Sequence, residues 1–251
     1  LAGLIVISSF ALSPVAVGDT NAGVAYLKTQ SASNAWVVMA LASAGEHPDV
    51  TAFKTVSGDK ATDVAAAILA LTANGKDPRS YGSTDLVAKL KSFHQNSQLG
   101  DATTINDDAF GILALTSAGV LPSDAVIADA KAYLLTHQNN NGGWSWAASG
   151  DSDTNDTASV LMALLEAGVS KTDLAITKAV DYLKSSQNVD GGFGYDPSAD
   201  WGKATDSPST AWVISAINAL GEDAHSWTKD GHNPVDALLA LQASSGFFRF
   251  Q

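Results

Sequence analysis

The sequence predicts an all-α protein built from repeated helical hairpins, and two observations carry that prediction. An eleven-residue apolar segment recurs five times: Ala35–Gly45 (AWVVMALASAG), Ala65–Gly75 (AAAILALTANG), Ala109–Gly119 (AFGILALTSAG), Ala158–Gly168 (ASVLMALLEAG) and Ala211–Gly221 (AWVISAINALG). Amphipathic segments alternate with these copies, and beyond the N-terminus no run longer than five residues reads as a strand. Every copy has Ala at its first and sixth positions, Leu or Ile at the seventh and Gly at the eleventh. A helix that is apolar nearly all round is a buried one. The closing Gly suits a left-handed position just past the helix end, where a Cβ is penalised. The small sixth residue marks where neighbouring helices approach. Five buried helices of one design define a repeat protein.

Taken in order, the outer helices interleave with the buried ones. Asn21–Gln30 is a short amphipathic helix leading into the first buried copy. Pro48–Val56 is a second outer piece, and Lys60–Gly75 is buried. Thr84–Asn96 carries Leu86, Val87, Leu90 and Phe93 at helical spacing. Ser123–Gln138 and Thr172–Gln187 open with N-cap residues and an Asp near the positive helix end. Pro234–Gln242 begins with Pro in its first turn. The count is six outer helices and five buried ones.

Composition bounds the function. The chain has 251 residues, 45% hydrophobic and 16% charged, enough for one large domain, here residues 19–251. A net charge of −12 argues against nucleic acid as a partner, since phosphate binding needs clustered Lys and Arg. There are no cysteines, which excludes disulfides, thiolate metal sites and Cys nucleophiles.

Residues 1–18 form a separate uncharged segment with a twelve-residue apolar run, Leu1 to Leu12. A membrane span needs about 20 apolar residues, and Pro14 interrupts this one, so the mature form is expected to have none. The segment reads either as the remainder of a secretory signal or as an assembly segment. Leu4, Ile5, Val6 and Ile7 are strand-prone, and with Phe10 they would be buried against this chain or a neighbour. Both readings imply export to the cell surface or beyond.

The outer helices end in a signature of their own. It runs Tyr133-Leu134, Gln138, Gly142-Gly143-Trp144, and again Tyr182-Leu183, Gln187, Gly191-Gly192-Phe193, with a weaker copy at Leu238, Gln242, Gly246-Phe247. This resembles the Gln/Trp repeat of the squalene–hopene cyclase and prenyltransferase superfamily, over about residues 20–251. The resemblance implies an α/α toroid with an inner and an outer ring of helices. By that pattern a sixth inner helix is expected after Phe247 and Phe248, and the apolar N-terminal segment is a candidate to fill its place.

The resemblance also implies chemistries that can be compared residue by residue. Class II terpene cyclases protonate their substrate with the central carboxylate of an Asp-x-Asp-Asp-Thr-Ala motif. The matching stretch is Asp153-Thr154-Asn155-Asp156-Thr157-Ala158, with Asn155 at the donor's place. An amide cannot donate that proton. The same slot before other buried helices holds Asn106-Asp107-Asp108, Thr62-Asp63 and Ser209-Thr210, which are N-cap residue types. The prenyltransferase zinc and the complement thioester both need a Cys that is absent here. Cobalamin carriers of the intrinsic-factor type share the ring and remain an open comparison.

Asp151, Asp153 and Asn155 space three oxygens as a calcium loop does, with Asp156 next to them. The stretch reads by default as a solvated acidic loop, with calcium as the possible cofactor, and it departs from the calcium pattern where Asp156 stands for Gly and Met162 for Glu. The five histidines sit at unrelated spacings, and helix C-terminal capping accounts for His94 and His137. Trp144, Trp146, Phe193, Tyr195 and Trp201 crowd the two longest loops, as packing between hairpins or as a carbohydrate or small-ligand platform.

The expectation is therefore an exported, non-enzymatic toroid. Its sharpest form is a self-assembling surface or filament subunit, joined head to tail through the apolar N-terminal segment and the Phe247-Phe248 edge. The alternative is a cyclase-like enzyme or a cobalamin-carrier-like binder holding a small apolar ligand in the ring.

Overall fold

Five inner helices stand side by side in chain order in the computed structural model, which describes residues 19–56 and 58–251. The expectations for residues 1–18, including Leu4, Ile5, Val6, Ile7 and Phe10 as interface residues, lie outside the described residues. The inner series is α2 (Ala35–Ser43), α3 (Ala61–Ala73), α5 (Asn106–Ser117), α7 (Thr154–Glu166) and α9 (Ser207–Ala219). Against them pack α1 (Thr20–Lys28), α4 (Leu86–Lys91), α6 (Ala125–Thr136), α8 (Leu174–Ser186) and α10 (Pro234–Ala240). Each inner helix touches the next, and α1, α4, α6, α8 and α10 lie on α2, α3, α5, α7 and α9 respectively. This is the expected all-α, two-ring architecture. Among the described residues no helix is long and apolar enough to cross a membrane.

The repeat dictates how each inner helix stops. Gly45, Gly75, Gly119, Gly168 and Gly221 all take positive φ, between 67° and 83°. In every copy the residue after the Gly donates its N–H back to the carbonyl of the seventh repeat position: Leu41, Leu71, Leu115, Leu164 and Ile217, at 2.9–3.1 Å. That is the Schellman closure, which satisfies carbonyls left free at a helix end. The sixth-position Ala70, Ala114, Ala163 and Ala216 are wholly buried where inner helices meet.

Two outer elements differ from expectation. Pro48–Val56 yields only a single 3₁₀ turn, Thr51–Lys54. The helix expected over 84–96 stops at Lys91 and gives way to an antiparallel pair, β1 (His94–Gln95) and β2 (Gln98–Leu99). Asn96 and Ser97 turn it with φ of 50° and 59°. Left-handed φ at both central residues is the type I′ hairpin condition, which Asn tolerates.

The Gln of the outer signature links neighbouring hairpins. Gln138 Nε2 donates to the Gly142 carbonyl of its own turn and to the Ala175 carbonyl in the first turn of α8, both at 2.8 Å. Gln187 repeats this with Gly191 and Trp227, at 2.9 and 2.8 Å. Gln242 does the same with Gly246 and Asp19, at 3.3 and 3.2 Å, and Asp19 is the N-cap of α1. The ring therefore closes on its own first outer helix. Phe247 packs on Tyr26 across the same seam, with centroids 5.8 Å apart. Phe248 pairs through its backbone with Gln242. Inside the ring, Trp36 of α2, Phe110 of α5 and Trp212 of α9 meet edge to face in a triangle, with centroids 5.6–5.8 Å apart. These helices are the first, middle and last of the inner series, so the three rings tie its two ends to its middle, with Trp36 still 49% exposed.

Candidate functional site

The N-terminal ends of α5, α7 and α9 hold most of the buried polar groups among the described residues. Asp153 caps α7, its Oδ1 accepting the Asp156 N–H at 2.8 Å. Asp206 caps α9 through the Ser209 N–H at 2.7 Å and the Ser209 hydroxyl at 2.9 Å. The Thr157 and Thr210 hydroxyls accept from the Trp144 and Phe193 amides, which ties each signature aromatic to its inner helix. Trp144 and Phe193 are fully buried, so the packing expectation holds for them. Trp146 and Trp201 instead stand 53% and 72% exposed.

Helix α3 has no cap of its own. Its Thr62 N–H is taken at 3.2 Å by Asp107, from the equivalent place one repeat later. The other Asp107 oxygen accepts from the Asp101 N–H at 2.9 Å. Asp108 next to it accepts from the Leu99 N–H of β2 at 2.8 Å, and its Oδ2 has no partner.

Burial sets the acidity here. The Asp108 carboxyl is pushed up to about 8 by burial and by the adjacent Asp107, against the pull of the Leu99 amide. Asp156 is raised by burial and then by the Asp153 charge, and Asp153 is itself raised by burial. Tyr195 is pushed up by burial and by those two carboxylates. Its loop is held over the start of α7 by Thr154, which donates its N–H to the Tyr195 carbonyl and its hydroxyl to Gly194, at 3.0 and 2.9 Å. Burial of this kind favours the protonated, uncharged form of a carboxylic acid. Between Asp153 and Asp156 stands half-buried Asn155, which has no proton to give.

Residues 93–250 match the family model described as squalene-hopene cyclase C-terminal domain. The chain belongs to that family. Among solved structures it is similar to ent-copalyl diphosphate synthase from Streptomyces platensis, with a TM-score of 0.58 and 18% identity. The match covers 79% of this chain and 45% of that one, so this chain spans under half of its length. No curated protein matches the sequence.

Within this squalene–hopene cyclase domain the stretch read as a possible calcium loop leads into the start of α7. Asp151 is exposed, while Asp153 and Asp156 are buried at the start of α7. Among the described residues no group of three or more His, Asp or Glu side chains is placed to hold a metal ion. The helix begins at Thr154 and turns Asp153 into its cap. His94, expected as a helix-end cap, pairs with Asp129 of α6 at 2.9 Å, whereas His137 does meet the Tyr133 carbonyl at 2.7 Å.

Beside these caps lies an open cleft of about 740 Å³ between the starts of α3 and α5 and the end of α4. Sequence reasoning passed over it because its walls come from loops distant in the chain. It also passed over the aromatic triangle, although Trp, Phe and Trp at the second repeat position were the signal.

Proposed function

We propose that this chain is a non-enzymatic member of its family, an exported toroid that acts by binding. The observation that carries the reading is the start of α7. Asn155 occupies the place of the proton donor, and Asp153 caps the helix through its Oδ1. An amide there leaves no acid aimed by the motif at a substrate double bond. The aromatic triangle of Trp36, Phe110 and Trp212 gives the ring an apolar surface suited to binding. The apolar run from Leu1 to Leu12 supports export. Turnover tests the proposal: incubated with squalene and with geranylgeranyl diphosphate, the chain returns both unchanged. A cyclised product from either would overturn it.

One observation favours a second reading, self-assembly into a surface filament. Phe247, Phe248 and Phe250 are 38%, 39% and 62% exposed along the segment that closes the ring. Exposed aromatics in one place suit an interface between copies. Light scattering on the full chain and on a form beginning at Asp19 separates the two readings. Polymers from the full chain alone support assembly through the apolar segment, and monomers from both leave binding alone.

A further inference from the structure

One repeated bond joins each inner helix to the hairpin that follows it. Ile105, at the start of α5, donates its N–H to the Trp146 carbonyl, Thr154 of α7 to Tyr195, and Ser207 of α9 to Phe250, each at 3.0 Å. Trp146 and Tyr195 stand two residues past the signature aromatics Trp144 and Phe193, and Phe250 stands two past Phe248. By this register Phe248 holds the same place in the last hairpin. Trp144 and Phe193 are fully buried, each tied to the inner helix that follows it by Thr157 or Thr210. Among the described residues no inner helix follows Phe248, and it is 39% exposed.

The place that Phe248 faces lies between α9 and α2, because the Gln242 joint closes on α1 and α1 lies on α2. The two flanking helices meet through Trp36 and Trp212. Beyond that contact α2 is short of partners. Its sequence, AWVVMALAS, is apolar up to the closing Ser, yet it buries only Val38 and Leu41, where α3, α5, α7 and α9 bury seven to nine residues each. Val37, Met39, Ala40 and Ala42 are half-buried, and α1 behind them has no buried residue. An apolar helix face left open in this way calls for an apolar cover.

We propose that the run Leu1–Leu12 of the same chain docks in this place, against Phe248 and the open side of α2. The run carries no charge that docking would have to bury. Its twelve residues match the twelve or thirteen of α3, α5, α7 and α9. Its attachment is at the right point, since it leads through residues 13–18 to Asp19, which Gln242 holds at the edge of the open place. Residues 13–18 extend to about 20 Å, and an inner helix of the length of α7 is about 20 Å long. The linker therefore reaches either end of the place without leaving its own ring. Docked in this way the run is not free to join two copies, so this inference stands against the filament reading and apart from the non-enzymatic one.

Disulfide trapping in the full chain tests it, since the chain has no cysteine of its own. Phe248→Cys is combined in turn with Leu4→Cys, Ile5→Cys, Val6→Cys and Ile7→Cys and treated with oxidised glutathione. Val37→Cys in α2 repeats the series should Phe248→Cys fail to fold, as checked by circular dichroism of the reduced variants. A bridge needs Cα atoms within about 7 Å. At least one pairing should close within one chain, read as a shifted monomer band on a non-reducing gel. Leu121→Cys, 69% exposed in the loop before α6, should close with none of the four. The inference is overturned if no pairing closes, if Leu121→Cys closes as readily, or if bridges form only between chains. That last result would give the run to the filament reading, while a cyclised product bears on the non-enzymatic reading alone, so the failures are told apart.

Discussion

Gln242 donates to the carbonyl of Asp19, 223 residues earlier, with the geometry by which Gln138 reaches Ala175 and Gln187 reaches Trp227. The repeat's own joint thus serves as the ring's closing joint. In each joint the Gly four residues on lets the next outer element approach. A Cβ on Gly142 would overlap the Lys178 carbonyl, one on Gly191 the backbone of His232 and Asn233, and one on Gly246 the Ala22 carbonyl.

Gly246→Ala is therefore expected to open the seam. Gly246 has φ of 95°, so strain adds to the overlap with α1, and the cost is on the order of 2 kcal/mol or more. Gln242→Ala, at an exposed joint, costs about 1 kcal/mol. Hydrogen exchange gives the location: protection should fall in α1 and α10 and hold in α5 and α7. Uniform loss across all helices would argue against a local seam.

Asp107 serves two elements at once, so truncating it should be felt at both. Asp107→Ala leaves the Thr62 and Asp101 amides unpartnered and is expected to cost about 1–3 kcal/mol in urea unfolding. Asp107→Asn keeps one acceptor and should lose less. Equal losses would show that the second contact contributes nothing.

The buried acids set a pH dependence with a definite sign. Asp108 ionises at about 8 in the folded chain against an ordinary value of 3.8, and Asp156 is raised as well. The folded state then holds more protons than the unfolded one between about pH 4 and pH 8, and stability falls as pH rises through that window. Asp101 and Asp124 are lowered by their hydrogen bonds, with Lys91 the chief cause for Asp124, so their contribution is lost on the acid side below that window. The melting temperature should be higher near pH 5 than near pH 8, and Asp108→Asn should narrow the difference. A melting temperature that rises from pH 5 to pH 8 would contradict these assignments.

Much of the ring could be read from the repeat, and the reason is physical. A buried helix of fixed length ending in a left-handed Gly is a local pattern, and each of the five copies folds as its residues dictate. The signature Gln, Gly and aromatic also act within one turn and its neighbour. The short hairpin after Lys91 was missed because its apolar spacing is helical and only Asn96 and Ser97 oppose it. Asp107 was legible as a cap-type residue but not as the cap of α3, since that bond spans one whole repeat. The spacing at Asp151, Asp153 and Asn155 was ambiguous because a helix start and a metal loop use the same residue types, and Asp153 does cap α7.

Trp144 and Trp146 sit two residues apart and divide between core and surface. Trp144 is fully buried and donates its indole N–H to the Leu134 carbonyl at 2.8 Å. Trp144→Ala is expected to cost about 3–5 kcal/mol, while Trp146→Ala should stay within about 0.5 kcal/mol. Thermal unfolding of the two variants side by side checks this, and a large loss for Trp146→Ala would make it a packing residue.

Deuterium uptake is the most direct probe of the acid position at Asn155. The chain is incubated with geranylgeranyl diphosphate in heavy water, and the organic extract is examined by mass spectrometry. Proton-initiated cyclisation would place a solvent deuteron on the carbon skeleton. With an amide at position 155, the substrate should return uncyclised and without deuterium. A cyclic product carrying deuterium, lost again in Asp156→Asn, would contradict the non-enzymatic reading.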